Sequence, residues 1–397
     1  MAAERTNLLG LAPQALAEFF VGLGERPFRA TQVLKWLYHR WVRDFAAMTD
    51  LSLAARARLA EAATVDLPQV RVRETSADGT VKWAFELADG NQVETVFIPE
   101  DGRGTLCISS QAGCALGCTF CSTGYRGFNR DLTPAEIVGQ VWSAWHELAA
   151  ARGDPRPVTN VVLMGMGEPL LNLEGVLPAL HLLLADLAFG LGRRRVTVST
   201  AGVIPGIERL REECPVSLAV SLHAPNDALR SELVPLNRRY AIAELLEACR
   251  RYVADAPKAV ITFEYVMLDG VNDSLAHARE LAALLGRLPA KVNLIPFNPF
   301  PESGYRRSPQ PVVDRFREVL LAAGLMTITR KTRGEDIDAA CGQLVGRVLQ
   351  RPSRGRRAQG RIAPAAGATE PPTAPVAGLD ATSWAPRTER TWTRHTA

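Results

Sequence analysis

Apolar and polar positions follow two different periods along the chain. Over residues 27–45, Phe28, Val33, Leu34, Leu37, Tyr38, Trp41 and Phe45 recur at helical spacing, with Arg29, Lys35, Arg40 and Arg43 between them. This pattern predicts an amphipathic helix with a basic outer face, serving solubility or RNA contact equally well. A second helix is expected over 51–62. Residues 70–73, 81–87 and 92–98 then alternate like strands, separated by the hairpin dipeptides Asp78-Gly79 and Asp89-Gly90. Residues 1–100 therefore read as a small helical and β-hairpin attachment.

From Thr105 the pattern changes to short apolar strands alternating with helical segments, at 105–109, 158–164, 195–199, 216–222, 260–266 and 291–295. Such alternation predicts an α/β domain with a parallel sheet over residues 101–350. One intervening helix is marked at its start by Thr133, Pro134 and Glu136, which supply an N-cap, a first-turn proline and a capping-box acid. Residues 351–397 turn to Arg, Pro, Ala, Gly and Thr without periodicity, the composition of a disordered basic tail.

Charge adds little to this picture. The formal charge is +4, but the tail alone has eight arginines against three acids, which leaves the rest of the chain at −1. Bulk charge thus gives the rest of the chain no nucleic-acid signature, although local basic patches remain available. No apolar run reaches the ~18 residues of a membrane span, and the N-terminus lacks the pattern of a signal peptide. A cytoplasmic protein without membrane contact is expected. The seven cysteines are odd in number and unevenly spaced, which favours metal or thiol chemistry over a disulfide framework.

Three of them, Cys114, Cys118 and Cys121, form C-x3-C-x2-C just after a predicted strand. Three thiolates on one loop leave a tetrahedral zinc site or a four-iron cluster one ligand short, the open position that catalysis uses. By spacing alone they also suit a structural zinc loop or buried thiols. Polar and glycine-rich clusters fall where other strands end: Gly165-Met166-Gly167-Glu168-Pro169, Ser199-Thr200-Ala201-Gly202, Ser221-Leu222-His223, and Asn298. In β/α barrels function gathers at that rim. Taken singly, these residues read as turn, cap or core residues.

Together the motifs carry a resemblance. The loop Cys114-Ala115-Leu116-Gly117-Cys118-Thr119-Phe120-Cys121, with its aromatic residue before the last cysteine, resembles the radical S-adenosylmethionine superfamily. Gly-Met-Gly-Glu-Pro resembles the glycine-rich motif that superfamily uses for the methionine amino group. The blocks Val93-Glu94-Thr95-Val96, Cys107-Ile108-Ser109-Ser110-Gln111, Gly127-Phe128-Asn129-Arg130, Ile295-Pro296-Phe297-Asn298-Pro299 and the run from Arg333 through Cys341 to Leu344 resemble one family within it. That family is the dual-specificity 23S rRNA and tRNA adenine C2 methyltransferases, and the likeness runs from about residue 5 to 350.

The resemblance implies an incomplete (β/α)6 TIM-like barrel and an RNA-binding role for the N-terminal attachment. It implies one 4Fe-4S cluster on Cys114, Cys118 and Cys121, and an S-adenosylmethionine site at Gly167, Glu168, Ser199, Ser221, Leu222, His223 and Asn298. The implied partners are 23S rRNA, tRNA and a reducing electron donor, with the enzyme a monomer. Two S-adenosylmethionine molecules would be used per turnover. One methylates Cys341, and the second yields the radical that converts this methyl into a methylene radical able to add to carbon 2. Glu94 would then take the carbon 2 proton, and Cys107 would release the product by forming a disulfide with Cys341. Seen alone, Cys107 and Cys341 read as buried strand and helix cysteines, and Glu94 as a strand acid. Cys214 and Cys249 match no block and are expected in the core. Two other readings stand beside this one: an adenine carbon 8 methyltransferase of the ribosomal drug-resistance type, and a non-catalytic zinc-stabilised RNA-binding protein.

Overall fold

A computed structural model describes residues 5–349 apart from Asp255, Pro257, Lys258, Cys341 and Val345. The expected disordered tail lies outside the described residues. The chain opens with helices α1 (Pro13–Gly22) and α2 (Arg29–Leu34). The helix expected over 27–45 is shorter than its periodicity suggests. One π-turn, Lys35–His39, follows α2, and Trp41 then enters the left-handed region at φ 56°. There its ring packs edge-on against Trp142 at 5.2 Å, so tertiary packing of one aromatic ends the helix that local spacing would continue. Lys35, Arg40 and Arg43 are exposed, as a basic outer face requires. Helix α3 (Leu53–Ala62) starts where the Ser52 hydroxyl accepts from the Ala55 N–H.

Strands β1 (Gln69–Thr75), β2 (Val81–Glu86), β3 (Gln92–Glu100) and β4 (Arg103–Cys107) form an antiparallel meander. Its first two turns place Gly79 and Gly90 at φ +83° and +81°, conformations that glycine adopts without steric cost. After β4 the chain alternates: α4 (Pro134–Arg152), β5 (Asn160–Leu163), α5 (Leu173–Leu184), β6 (Val196–Thr200), α6 (Ile204–Glu213), β7 (Ser217–Ser221), α7 (Ile242–Ala254), β8 (Ile261–Met267), α8 (Leu275–Leu285), β9 (Ala290–Pro296), α9 (Gln310–Ala322) and β10 (Met326–Thr329). Each strand from β5 onward lies parallel to its predecessor.

All ten strands form one sheet whose spatial order is the chain order. A doubly wound sheet would reverse direction at a switch point; this one winds a single way, the connectivity of a β/α barrel. Among the described residues β10 does not pair back to β1, so the barrel is incomplete. Strands β4 to β9 are the six expected from the sequence. The seventh parallel strand, β10, was not anticipated: it has four residues, and Met326 and Ile328 are 63% and 52% exposed at the sheet edge, which hides it from an apolar-run criterion. The meander is hydrogen-bonded into the same sheet through β3 and β4.

Helix α4 shows how helices hold the strand ends. Its capping box forms as expected at Thr133 and Glu136, and it ends at Gly153 with φ 63°. Gln140 on its buried face is fully enclosed. Its carbonyl oxygen accepts from the Thr95 hydroxyl (2.8 Å) and the Ser109 N–H (2.9 Å), while its amide donates to the Ser109 carbonyl (3.0 Å). One side chain thus ties β3 and the segment beyond β4 to the helix. After β10 the chain returns to the start of the sheet, where Arg347 pairs with Gln92 and the Leu349 N–H donates to the Asn91 side-chain oxygen (2.9 Å).

Candidate functional site

The loops beyond the strand ends surround a cavity of about 950 Å³, its solvent-open mouth included. Every parallel strand from β5 to β9, with its following loop, contributes a wall residue, as does the loop after β4.

Cys114, Cys118 and Cys121 lie together on the loop that follows β4, all bordering the cavity. A short strand pair, Gln111–Gly113 with Phe128–Asp131, closes the loop's base. Within the loop the Cys121 N–H donates to the Cys118 carbonyl (3.2 Å), and Gly117 takes φ +64° at the bend. The loop is tethered outward too: the Thr119 N–H donates to the Leu233 carbonyl (3.1 Å) and the Ser122 N–H to the Gly342 carbonyl (2.9 Å). The three cysteines are half-buried. Burial pushes the Cys114 thiol up to about 12 and the Cys118 thiol well above the ordinary range, so without a metal both are neutral at pH 7. A bound metal centre would draw off these protons. Among the described residues no three His, Cys, Asp or Glu side chains are placed to hold one metal ion between them. Three thiols spaced around one wall fit a polynuclear cluster, in which each binds a different iron.

Gly167 and Glu168 follow β5. Gly167 has φ +100°, and a Cβ there would come within 2.5 Å of the Gln111 Cβ. Only glycine lets the two segments meet so closely. Beside it the Glu168 N–H donates to the Gln111 side-chain oxygen (2.7 Å). The Glu168 carboxylate is buried and accepts from the Ala201 N–H (2.8 Å) and the Leu170 N–H (3.1 Å). Burial raises it to about 7 against the opposing pull of these hydrogen bonds.

Ser199, Ser221, His223 and Asn298 all line the cavity. His223 sits at φ 62°, and its Nδ1 accepts from the Val266 N–H (3.0 Å). Burial, with the nearby Arg230, pushes the ring down to about 3, so it is neutral. Since Nδ1 is an acceptor, the proton is on Nε2 and the ring is a hydrogen-bond donor from that side. Phe120 meets it edge-on at 4.5 Å. Asn298 is buried, its oxygen accepting from Arg307 (2.7 Å). Leu222 does not line the cavity. It is fully buried, and its backbone N–H donates to the Glu264 carbonyl (3.1 Å).

Two residues outside the sequence motifs belong to this region. Arg230 is completely buried on the short helix Asp227–Leu233. Its guanidinium donates to the carbonyls of Ala201 (2.6 Å), Leu222 (3.1 Å) and Ser221 (3.1 Å) and to the Asn237 side chain (2.8 Å). It therefore clamps the ends of β6 and β7. Glu264, on β8, lines the cavity and is 3% exposed. Neither stands beside glycine or in a cysteine cluster, so no local signal in the sequence marks it.

The strand register decides which residues face inward. Val96, Cys107, Val162 and Thr197 are successive partners across β3 to β6, and Thr197 shares a face with Ser199. Cys107, at the end of β4, and Glu94, two residues before Val96, therefore lie on the same inward face as Ser199. Both are buried and neither borders the cavity itself. Cys341 lies outside the described residues, but Gly342, its neighbour in sequence, lines the cavity. Cys214 and Cys249 are core residues, 1% and 0% exposed.

A singly wound barrel carrying this three-cysteine loop and glycine-rich rim defines a radical S-adenosylmethionine enzyme. Residues 108–282 match the radical SAM superfamily, and residues 6–65 match the ribosomal RNA large subunit methyltransferase N-terminal domain. The dual-specificity RNA methyltransferase RlmN of Marinobacter nauticus is 57% identical over 357 residues, covering 90% of this chain and 97% of its own. That of Alkalilimnicola ehrlichii is 58% identical over 351 residues, covering 88% and 97%. The crystal structure of a radical SAM methyltransferase from Sphaerobacter thermophilus superimposes with a TM-score of 0.80 at 45% identity, covering 85% of this chain and 99% of that one. The chain belongs to the RlmN family of dual-specificity RNA methyltransferases, radical SAM enzymes that act on RNA. This membership overturns the reading as a non-catalytic zinc-stabilised protein. No helix of the described residues is long and apolar enough to cross a membrane.

Proposed function

We propose that the chain methylates carbon 2 of adenine in 23S rRNA and in tRNA beside the anticodon, acting in the cytoplasm as a monomer supplied by an external electron donor. The reading includes one 4Fe-4S cluster on Cys114, Cys118 and Cys121 and two S-adenosylmethionine molecules per turnover. It further assigns residues 1–100 to RNA binding, 101–350 to the catalytic barrel and 351–397 to a basic tail. The observation that carries it is the shared inward face of Glu94 and Cys107, on strands whose neighbours wall the cavity.

Carbon 2 lies between two ring nitrogens and is electron-poor, so an ordinary nucleophilic attack on a methyl donor is unfavourable there. The cluster and S-adenosylmethionine, when bound, supply the one-electron chemistry and the methyl group. Gly167 and Glu168 would receive the methionine amino group. Ser199, Ser221, His223 and Asn298 present hydroxyl, imidazole and amide groups to the rest of the ligand, while Leu222 acts through its backbone. Cys341 would carry the one-carbon unit as S-methylcysteine, Glu94 would accept the carbon 2 proton, and Cys107 would attack the sulfur of Cys341, so that the sulfur–carbon bond breaks as the disulfide forms and its electron pair, taking up a proton, completes the methyl group on the freed RNA.

The opposite roles of the two cysteines give the test. Cys341→Ala should load no methyl and leave RNA untouched. Cys107→Ala should load the methyl but stall with RNA attached to the protein, seen as a band that survives denaturing gels and disappears in the double variant. Normal turnover by Cys107→Ala, or an adduct without Cys341, would overturn the assignment. Nucleoside mass spectrometry of the product distinguishes carbon 2 from carbon 8.

A further inference from the structure

Glu264 has one satisfied and one unsatisfied carboxylate oxygen. Its Oε1 accepts from the Asn293 amide (3.0 Å), whereas Oε2 is buried and has no hydrogen-bond partner. A carboxyl oxygen removed from water without a hydrogen-bond partner is costly, and as a carboxylate it can only accept. A ligand donor is what the position lacks. In the sheet register Glu264 stands directly between Ser221 on β7 and Asn293 on β9, and all three share one face. Its neighbours along the cavity wall, Val266 and Ile295, are apolar and offer no side-chain donor. Burial raises the Glu264 carboxyl above its usual range, opposed by the positive potential of Arg330, also on the wall, and of Lys291.

We propose that Glu264 is a specificity-determining residue of the cavity, its Oε2 accepting a ribose hydroxyl of S-adenosylmethionine, with the Ser221 hydroxyl beside it meeting the other. The proposal rests on the cavity being the S-adenosylmethionine site. On the proposed reading the ligand's parts follow the rim: Glu168 after β5 would take the amino group, and the amide of Asn298 after β9 would suit the base. Glu264 and Ser221 lie on intervening strands, where the sugar joining those parts would pass. A vicinal diol supplies two adjacent O–H donors, which matches a lone carboxylate oxygen next to a serine. The same pairing of an acid with ribose hydroxyls recurs in dinucleotide sites.

The test is calorimetric binding to anaerobically reconstituted holoenzyme of S-adenosylmethionine and of its 2′-deoxy and 3′-deoxy analogues. Wild type should bind at least one deoxy analogue about tenfold more weakly than the parent, the ratio set by one charge-assisted hydrogen bond. Glu264→Gln should bind the parent about tenfold more weakly and lose that discrimination. Equal affinity of wild type for the parent and both analogues overturns the proposal without any variant, so it remains testable should Glu264→Gln fold poorly. A variant with normal iron content and unchanged discrimination overturns it as well. Failure of cluster-loaded wild type to bind S-adenosylmethionine at all would instead refute the underlying reading of the cavity, and this proposal with it.

Discussion

Arg230→Met tests whether the buried clamp at the ends of β6 and β7 holds the rim together. The substitution keeps an extended chain of similar length but removes all five N–H donors. Four hydrogen bonds are lost, to Ala201, Ser221, Leu222 and Asn237. At about 1.5 kcal/mol each, the low end for a charged donor, they contribute about 6 kcal/mol. Against this stands the cost of burying the charge, which pushes the guanidinium down from 12.5 to about 10. Relief of that cost returns roughly 3 kcal/mol, at about 1.4 per pH unit. The hydrogen bonds win by about 3 kcal/mol, which for a unit of this size lowers the melting temperature by about 4 °C. Arg230→Lys keeps the charge but not the fork, and should recover less than half of the loss. The assay is thermal unfolding of the cluster-free protein followed by circular dichroism. A melting temperature for Arg230→Met within about 1 °C of wild type would show that the carbonyls find other donors and that the clamp is dispensable.

Further expectations concern the same rim and the tail. Glu168, raised to about 7 from 4.5, keeps its proton in the folded chain where the unfolded chain has lost it, so its contribution is present below pH 4.5 and is lost as pH rises to 7. Relative to wild type, cluster-free Glu168→Gln should therefore gain up to roughly 3 kcal/mol across that window in denaturant titrations, and parallel curves would refute this. His223, lowered to about 3 from 6.5, works in reverse: its contribution is present above 6.5 and is lost as pH falls toward 3, a loss that His223→Gln should remove. Gly167→Ala forces a Cβ against Gln111 and should weaken S-adenosylmethionine binding at least about tenfold with iron content unchanged; normal affinity would mean the loop yields. Truncation after Gln350 should spare reductive cleavage of S-adenosylmethionine and weaken RNA binding mainly at low salt, and loss of cleavage would place the tail in the catalytic domain.

The six expected barrel strands were legible because each is a short apolar run between helical segments. The cysteine loop and the glycine-rich turn were legible because their chemistry is packed into a few consecutive residues. Arg230, Glu264 and Gln140 were not, because each acts alone from the middle of an element and acquires meaning only from partners far away in sequence. Trp41 shows the opposite failure. Its spacing fits a helix that continues, and only its contact with Trp142 reveals that the helix has ended. Strand β10 was missed for want of burial, since its outward residues sit at an edge and give no apolar run.

Because the sheet's spatial order is its chain order, each parallel strand can dock on the one synthesised just before it, and most of the barrel can assemble while the chain is still being made. The segment after β10 is different. Its contacts with Gln92, Asn91 and the cysteine loop join the last described residues to some of the earliest strands. These contacts close only after every intervening helix and strand has left the ribosome. The wall that includes Gly342 is therefore the last piece of the cavity to arrive, and until it does the cysteine loop lacks its tether to that segment.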